Sequence, residues 1–441
     1  MSLPNVPISL AMQERARKLI PGKTQLLSKR PEMFAPGLWP GYYSRAKGSV
    51  IWDLDGNEYF DFSIGGIGAN VLGYADDDVD GRVIQAIHSG SSSSLNCAEE
   101  VELAELFNTR FPWFEMFRYT RSGGEAMAVA ARIARAKTRR EVILFCGYHG
   151  WHDWYLSTNI RDSSNLDQHL LSGLSPNGVP QSLAGTSIPF MYNDIDMLKK
   201  LFEQNAGKVA AVIMEPRHDI EPRADFLNQV RQICDDKGAV LIFDEITSAF
   251  RESAGPIHQH YRVYPDIAVF SKAISNGYPM GMVCGTSKVM QSAQETFISS
   301  TSWTERIGPV ATIATVKKFI DNDVHVKISA IGDLVRLGWE KYSSAAGVEI
   351  EIRGFRPLLN FNFVHKDNLI LRTLFVQKML QRGFLASNRF YAMFTHDKHM
   401  TELYLASVEE VFYEISLLLK TDNYKSALKG SVAHSGFQRL N

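Results

Sequence analysis

Apolar residues in this chain collect into short unbroken runs that stop on one ionisable side chain. Ala210-Ala211-Val212-Ile213-Met214 leads into Glu215, Val240-Leu241-Ile242-Phe243 into Asp244, and Ile267-Ala268-Val269-Phe270-Ser271 into Lys272, at almost even spacing. Runs of this length, rich in β-branched residues and separated by one amphipathic stretch each, predict parallel strands buried on both faces in βαβ units. The stretch from Asp225 to Lys237 reads as a crossover helix, with Phe226, Val230, Ile233 and Cys234 on one side and Gly238 as its C-cap. Glu141 to Phe145 reads as a further strand. Ligands of parallel sheets bind outside the carboxyl ends of the strands, so Glu215, Asp244 and Lys272 are expected to face one crevice.

Elsewhere the rhythm changes. Leu10, Met12, Ala16 and Leu19 recur at helical spacing behind Ser9, and Pro21-Gly22 ends that helix. Ser49 to Asp61 alternates apolar and polar residues around Asp55-Gly56-Asn57, a β-hairpin pattern. Helical and strand-like segments alternate from about Asn70 to Pro309. Long helices then follow, over Val310–Ile320 and Val324–Ala345, with alternating runs around Val348–Val364 and another helix near Leu371–Arg382. The expected organisation is an N-terminal helix and hairpin segment (1–69), a large α/β domain (70–310) and a small α+β domain (311–441). Met1 to Pro7 and Gly430 to Asn441 carry no useful rhythm.

Composition narrows the partners. A chain of 441 residues exceeds what one core usually supports. With 47 Lys+Arg against 48 Asp+Glu and no long run of one sign, neither a nucleic-acid surface nor a membrane-surface anchor is indicated. Small metabolites are the expected partners. The four cysteines, Cys97, Cys146, Cys234 and Cys284, lack CxxC spacing, which argues against a zinc ribbon or disulfide framework. No apolar stretch approaches the roughly 20 residues that cross a bilayer, and Met1-Ser2-Leu3 is not followed by an export signal. A cytoplasmic protein is expected.

Three motifs carry chemistry. Ser122-Gly123-Gly124 precedes an Ala-rich helix, where free N–H groups and the helix dipole favour an anion such as phosphate; alone, the same residues read equally as an ordinary turn. Past the strand that ends at Phe145 come Tyr148, His149, Trp151 and His152, an aromatic able to stack on a planar heterocycle with a histidine beside it. His149, His152 and Asp153 also read as metal ligands, and the whole stretch as a loop packed on the sheet edge. A buried Asp244 requires a cationic partner, either Lys272 or a protonated ring nitrogen. A lysine forms an imine with an aldehyde cofactor, and a carboxylate opposite a pyridine nitrogen keeps that ring protonated and electron-accepting.

These residues resemble those of the class III aminotransferases of fold type I, and within them the glutamate-1-semialdehyde aminomutase-like proteins. The likeness runs from Arg15–Gly22 and Trp52–Glu58 through Ser122–Ala126, Tyr148-His149-Gly150, Met214-Glu215-Pro216, Phe243-Asp244-Glu245 and Ser271-Lys272 to Pro309. It implies a pyridoxal 5'-phosphate enzyme: a large domain with a mostly parallel sheet and a smaller α+β C-terminal domain, acting as a homodimer with its site at the interface. Lys272 would hold the cofactor and shuttle the proton, Asp244 would pair with the pyridinium, and Tyr148, beside His149, would stack on the ring. Ser122, Gly123 and Gly124 would bind the phosphate, Thr304 would reach the phosphate of the neighbouring subunit, and Glu215 would lie near the cofactor as a positioning acid.

Departures from the aminomutase pattern fall on the substrate side. Gly124 stands where those proteins usually have threonine, Gly65-Gly66-Ile67-Gly68 replaces a segment with an aromatic wall, and the arginine that holds the substrate carboxylate aligns with Lys29 or Arg30. The expectation is an aminotransferase that moves an amino group from a donor such as glutamate to a ketone or aldehyde, with glutamate-1-semialdehyde 2,1-aminomutase as the alternative. Two other classes stay open: a non-catalytic cofactor binder, and a metal hydrolase built on His149, His152, Asp244 and Glu245.

Overall fold

A computed structural model describes residues 2–169, 172–217 and 219–436, so the last five residues of the polar tail lie outside it. The chain forms two compact units, one from residues 77–323 and one from residues 1–76 together with 324–441.

The 77–323 unit is built on a seven-stranded sheet in the order Met116–Thr120, Gly281–Gly285, Ile267–Phe270, Val240–Asp244, Val209–Met214, Val142–Cys146, Ser187–Pro189. Gly281–Gly285 pairs antiparallel with both its neighbours, and every other strand runs the same way. The three runs that end on charged residues are adjacent central strands. Their side chains alternate between two cores: Ala211, Ile213, Val240, Ile242, Ile267 and Val269 pack under the Gly123–Thr138 helix, while Val212, Met214, Leu241 and Phe243 meet the Phe226–Lys237 helix on the other face. Burial on both faces is why these strands read as continuous apolar runs, each large side chain contributing about 1.5–3 kcal/mol. Gly238 takes the left-handed conformation that closes its helix.

The other unit joins segments far apart in sequence. Tyr43–Lys47, Val50–Asp53 and Glu58–Phe62 form an antiparallel meander, and Phe384–Ala386 adds in parallel to Glu58–Phe62. The expected hairpin is present, its turn held by Asp53, whose Oδ1 accepts the N–H groups of Asp55 and Asn57, each at 2.9 Å. A second, antiparallel sheet comprises Ile350–Phe355, Leu358–Phe363 and Arg389–Tyr391. Helices Pro7–Leu19, Val324–Ala346, Asn368–Leu380 and Lys398–Lys420 complete the unit, with Phe62 stacked on Tyr404 and Phe390 at its core. The helix from Ile307 to Asp321 belongs to the 77–323 unit.

Candidate active site

Each predicted acid or base sits where its strand ends. The Val240–Asp244 strand is wholly buried and delivers Asp244, only 3% exposed, at its carboxyl end. Asp244 Oδ1 accepts the N–H of Ile246 at 3.0 Å, and Oδ2 lies 2.7 Å from His149 Nδ1. The other ring nitrogen of His149 lies 2.9 Å from the Cys146 carbonyl. Both nitrogens of this buried ring therefore face oxygen atoms, one of them the Asp244 carboxylate. Within the protein Asp244 bonds His149, while the Lys272 amine bonds Thr247 instead.

Lys272 opens a short 3₁₀ turn immediately after the Ile267–Phe270 strand, with its backbone in the left-handed region at φ 52°. Such strain in a non-glycine residue concentrates at functional sites. Its amine donates to Thr247 Oγ1 at 2.7 Å. Burial pushes the Lys272 pKa below its ordinary value, opposed by Glu215 and Asp244 and assisted by the cation of Arg251. Glu215, at the end of the Val209–Met214 strand, is pushed up to about 8, first by burial and then by the Asp244 carboxylate. The pair thereby tends toward a neutral acid facing a neutral amine.

Ser122 caps the Gly123–Thr138 helix, its Oγ accepting the Glu125 N–H at 3.4 Å while its own O–H stays available to donate. The first N–H groups of any helix lack intrahelical partners, which puts those of Gly123 and Gly124 at this end. A Cβ at Gly123 would lie 2.9 Å from Ile246 and one at Gly124 3.1 Å from the His152 ring, so side chains there would fill the cradle. Tyr148 is 43% exposed with its ring edge-on to Tyr155, whose hydroxyl donates to the Gly147 carbonyl at 2.9 Å. Thr304 is not brought to this cluster: it is exposed on a 3₁₀ turn and its hydroxyl bonds the Thr301 carbonyl.

Glu245 points the other way, into the core against His258. Among the described residues no three His, Cys, Asp or Glu side chains gather as a metal set. Thr247 and the fully buried Arg251 were not singled out from sequence. Their only signal there is position, three and seven residues past Asp244.

Comparison with known proteins accounts for this arrangement. The profile of the class-III aminotransferases matches residues 37–411, and the chain belongs to that family. The family consists of enzymes that move amino groups with pyridoxal 5'-phosphate, and that is the cofactor of this fold-type-I transaminase. The chain is 32% identical over 429 residues to a glutamate-1-semialdehyde 2,1-aminomutase of Desulforamulus reducens, covering 93% of this chain and 98% of that one. It is 31% identical over 363 residues to a 3-aminobutyryl-CoA aminotransferase of Cloacimonas acidaminovorans, covering 80% and 83%. Its fold matches the FumI protein of Sphingopyxis sp. MTA144, solved in its PLP internal aldimine form, with a TM-score of 0.85 at 23% identity over 96% and 98% of the two chains.

The residues present fit the cofactor. A half-buried amine, a carboxylate on the adjacent strand with acceptor capacity left over, and a glycine cradle at a helix N-terminus meet its aldehyde, its ring nitrogen and its phosphate by chemistry alone.

Proposed function

We propose that this chain transfers an amino group from an amino-acid donor, glutamate foremost, to a small ketone or aldehyde. The observation that carries the reading is the pairing of Lys272 and Asp244 at the ends of adjacent parallel strands, the amine poised and the carboxylate braced by His149. Bound pyridoxal phosphate supplies an aldehyde for imine exchange and a ring that accepts an electron pair. In this reading Lys272 holds the cofactor, and its freed Nζ carries the proton away from the donor α-carbon. Asp244 keeps the ring nitrogen protonated, with His149 fixing its carboxylate. Tyr148 covers the ring, Glu215 stays protonated beside the amine, and Ser122, Gly123 and Gly124 take the phosphate.

The reading includes a homodimer. Ile84, Ile87, Leu95 and Phe297 are 51–83% exposed, and Ile84 and Ile87 line a groove of about 500 Å³ with Arg121, Tyr278 and Glu305. Apolar surface of that kind is what a second copy would cover. The exposed Thr304 hydroxyl then serves the partner's phosphate. All four cysteines are free and no helix among the described residues is long and apolar enough to cross a membrane, which supports a cytoplasmic assignment.

Aminomutase activity on glutamate-1-semialdehyde is the second reading, favoured by the 32% identity to proteins of that name. Mixing the cofactor-loaded enzyme with glutamate separates the two. Loss of the visible cofactor band with release of 2-oxoglutarate is expected; no discharge by any amino donor, with turnover of the semialdehyde, reverses the ranking.

A further inference from the structure

The Lys272 amine reaches the hydroxyl of Thr247. Thr247 is set by a pinned segment: the Glu245 N–H bonds the Val269 carbonyl, the Ile246 N–H bonds Asp244 Oδ1, and Arg251 Nε donates to the Thr247 carbonyl at 3.3 Å. Its backbone is therefore held in place, and Oγ1 lies 2.7 Å from Lys272 Nζ. The direction of this bond matters. A neutral amine has two N–H groups and one lone pair; with an N–H given to Thr247, as the proposal requires, the lone pair is left for a proton.

We propose that Thr247 is a positioning residue for proton transfer, its hydroxyl holding the Lys272 amine whenever that amine is released from the cofactor. The inference rests on the transaminase reading. In the step it would serve, the C–H bond at the donor α-carbon breaks, an N–H bond forms on Nζ, and the bonding pair stays on the substrate carbon, where a bound electron-accepting ring would stabilise it. Without the hydroxyl, a long flexible side chain samples other rotamers, and displacement by about 1 Å costs up to about a hundredfold in rate. Because the proposed contact is with Lys272 and not with the donor, KM is expected to change little while kcat falls.

The test uses cofactor-loaded wild type, Thr247→Val and Thr247→Ser, with the α-deuterated and ordinary forms of whichever amino-acid donor discharges the wild type. Thr247→Val is expected to keep full borohydride capture at Lys272 while its single-turnover discharge slows by about 10- to 100-fold, with a larger deuterium isotope effect. Thr247→Ser is expected to recover most of the rate. In cofactor-free protein, acetylation of Lys272 followed by peptide mass spectrometry is expected to change severalfold in Thr247→Val and in no other lysine. Should the valine form be insoluble, Thr247→Ala replaces it. A Thr247→Val enzyme with wild-type discharge rate, isotope effect and Lys272 reactivity overturns the proposal. A wild type with no borohydride capture overturns the transaminase reading and the proposal with it.

Discussion

Asp244 and Glu245 are neighbours in sequence, both buried acids, and each holds a histidine, yet they belong to different regions of the molecule. Glu245 faces the core. Its Oε1 accepts the His258 N–H at 2.9 Å and bonds His258 Nδ1 at 2.8 Å, while Oε2 accepts Ile257 N–H at 3.1 Å and the Ser248 hydroxyl at 2.7 Å. Asp244, on the opposite face of the same chain, has two such bonds. A carboxylate offers about four acceptor positions, so Glu245 is saturated and Asp244 is half filled. That contrast separates scaffold from site: the saturated acid is spent on the fold, and the other keeps acceptor capacity that the proposed cofactor role would use.

The two acids should therefore fail differently. Asp244→Asn keeps the shape but removes the charge proposed to face the ring nitrogen, and a loss of roughly 10²–10³-fold in kcat/KM is expected, with a smaller drop in melting temperature than Glu245→Gln causes. Glu245→Gln is expected to do the reverse. An amide there meets donors with its own NH₂, costing about 2–3 kcal/mol of stability, while the protein that remains folded turns over near the wild-type rate. Thermal unfolding and steady-state kinetics on both variants check the pair; matching profiles would erase the distinction.

How much of this was legible beforehand follows from the same physics. Strands buried on both faces leave unbroken apolar runs, so the ends of the central strands, and with them Lys272, Asp244 and Glu215, could be read directly. The pairing of Phe384–Ala386 with Glu58–Phe62 could not, because contact across more than three hundred residues leaves no local pattern. His149 was visible as a chemical group, but its contact with Asp244, 95 residues away, was not, since it depends on the turn at Gly147, which takes φ 106°. Thr247 gave no signal because a threonine past a strand is ordinary until the lysine that reaches it is placed.

A third, smaller effect sharpens the comparison through pH. The Glu215 pKa is raised in the folded state by burial and by Asp244. The unfolded chain releases that proton near the ordinary carboxyl range, and the folded protein holds it to about 8. Stability is therefore full at low pH and is lost as pH rises through that window. Glu215→Gln removes this dependence. Relative to the variant, the cofactor-free wild type is expected to lose roughly 1–2 kcal/mol between about pH 5 and 8, a shortened span because Lys272 titrates alongside it. Chemical denaturation at several pH values measures it, and parallel curves for the two proteins would contradict it. Smaller still is Ser122→Ala, which removes a helix cap and one hydroxyl and is expected to weaken phosphate-dependent cofactor retention by about 1 kcal/mol, read by dialysis against buffer.

The central claim is that the Lys272 amine is where the cofactor attaches. Borohydride reduction of the cofactor-loaded protein, digestion and mass spectrometry test it in one step. The expected result is a pyridoxyl-phosphate adduct on the peptide containing Lys272, absent from Lys272→Ala. An adduct confined to another lysine, or none in visibly loaded protein, contradicts it.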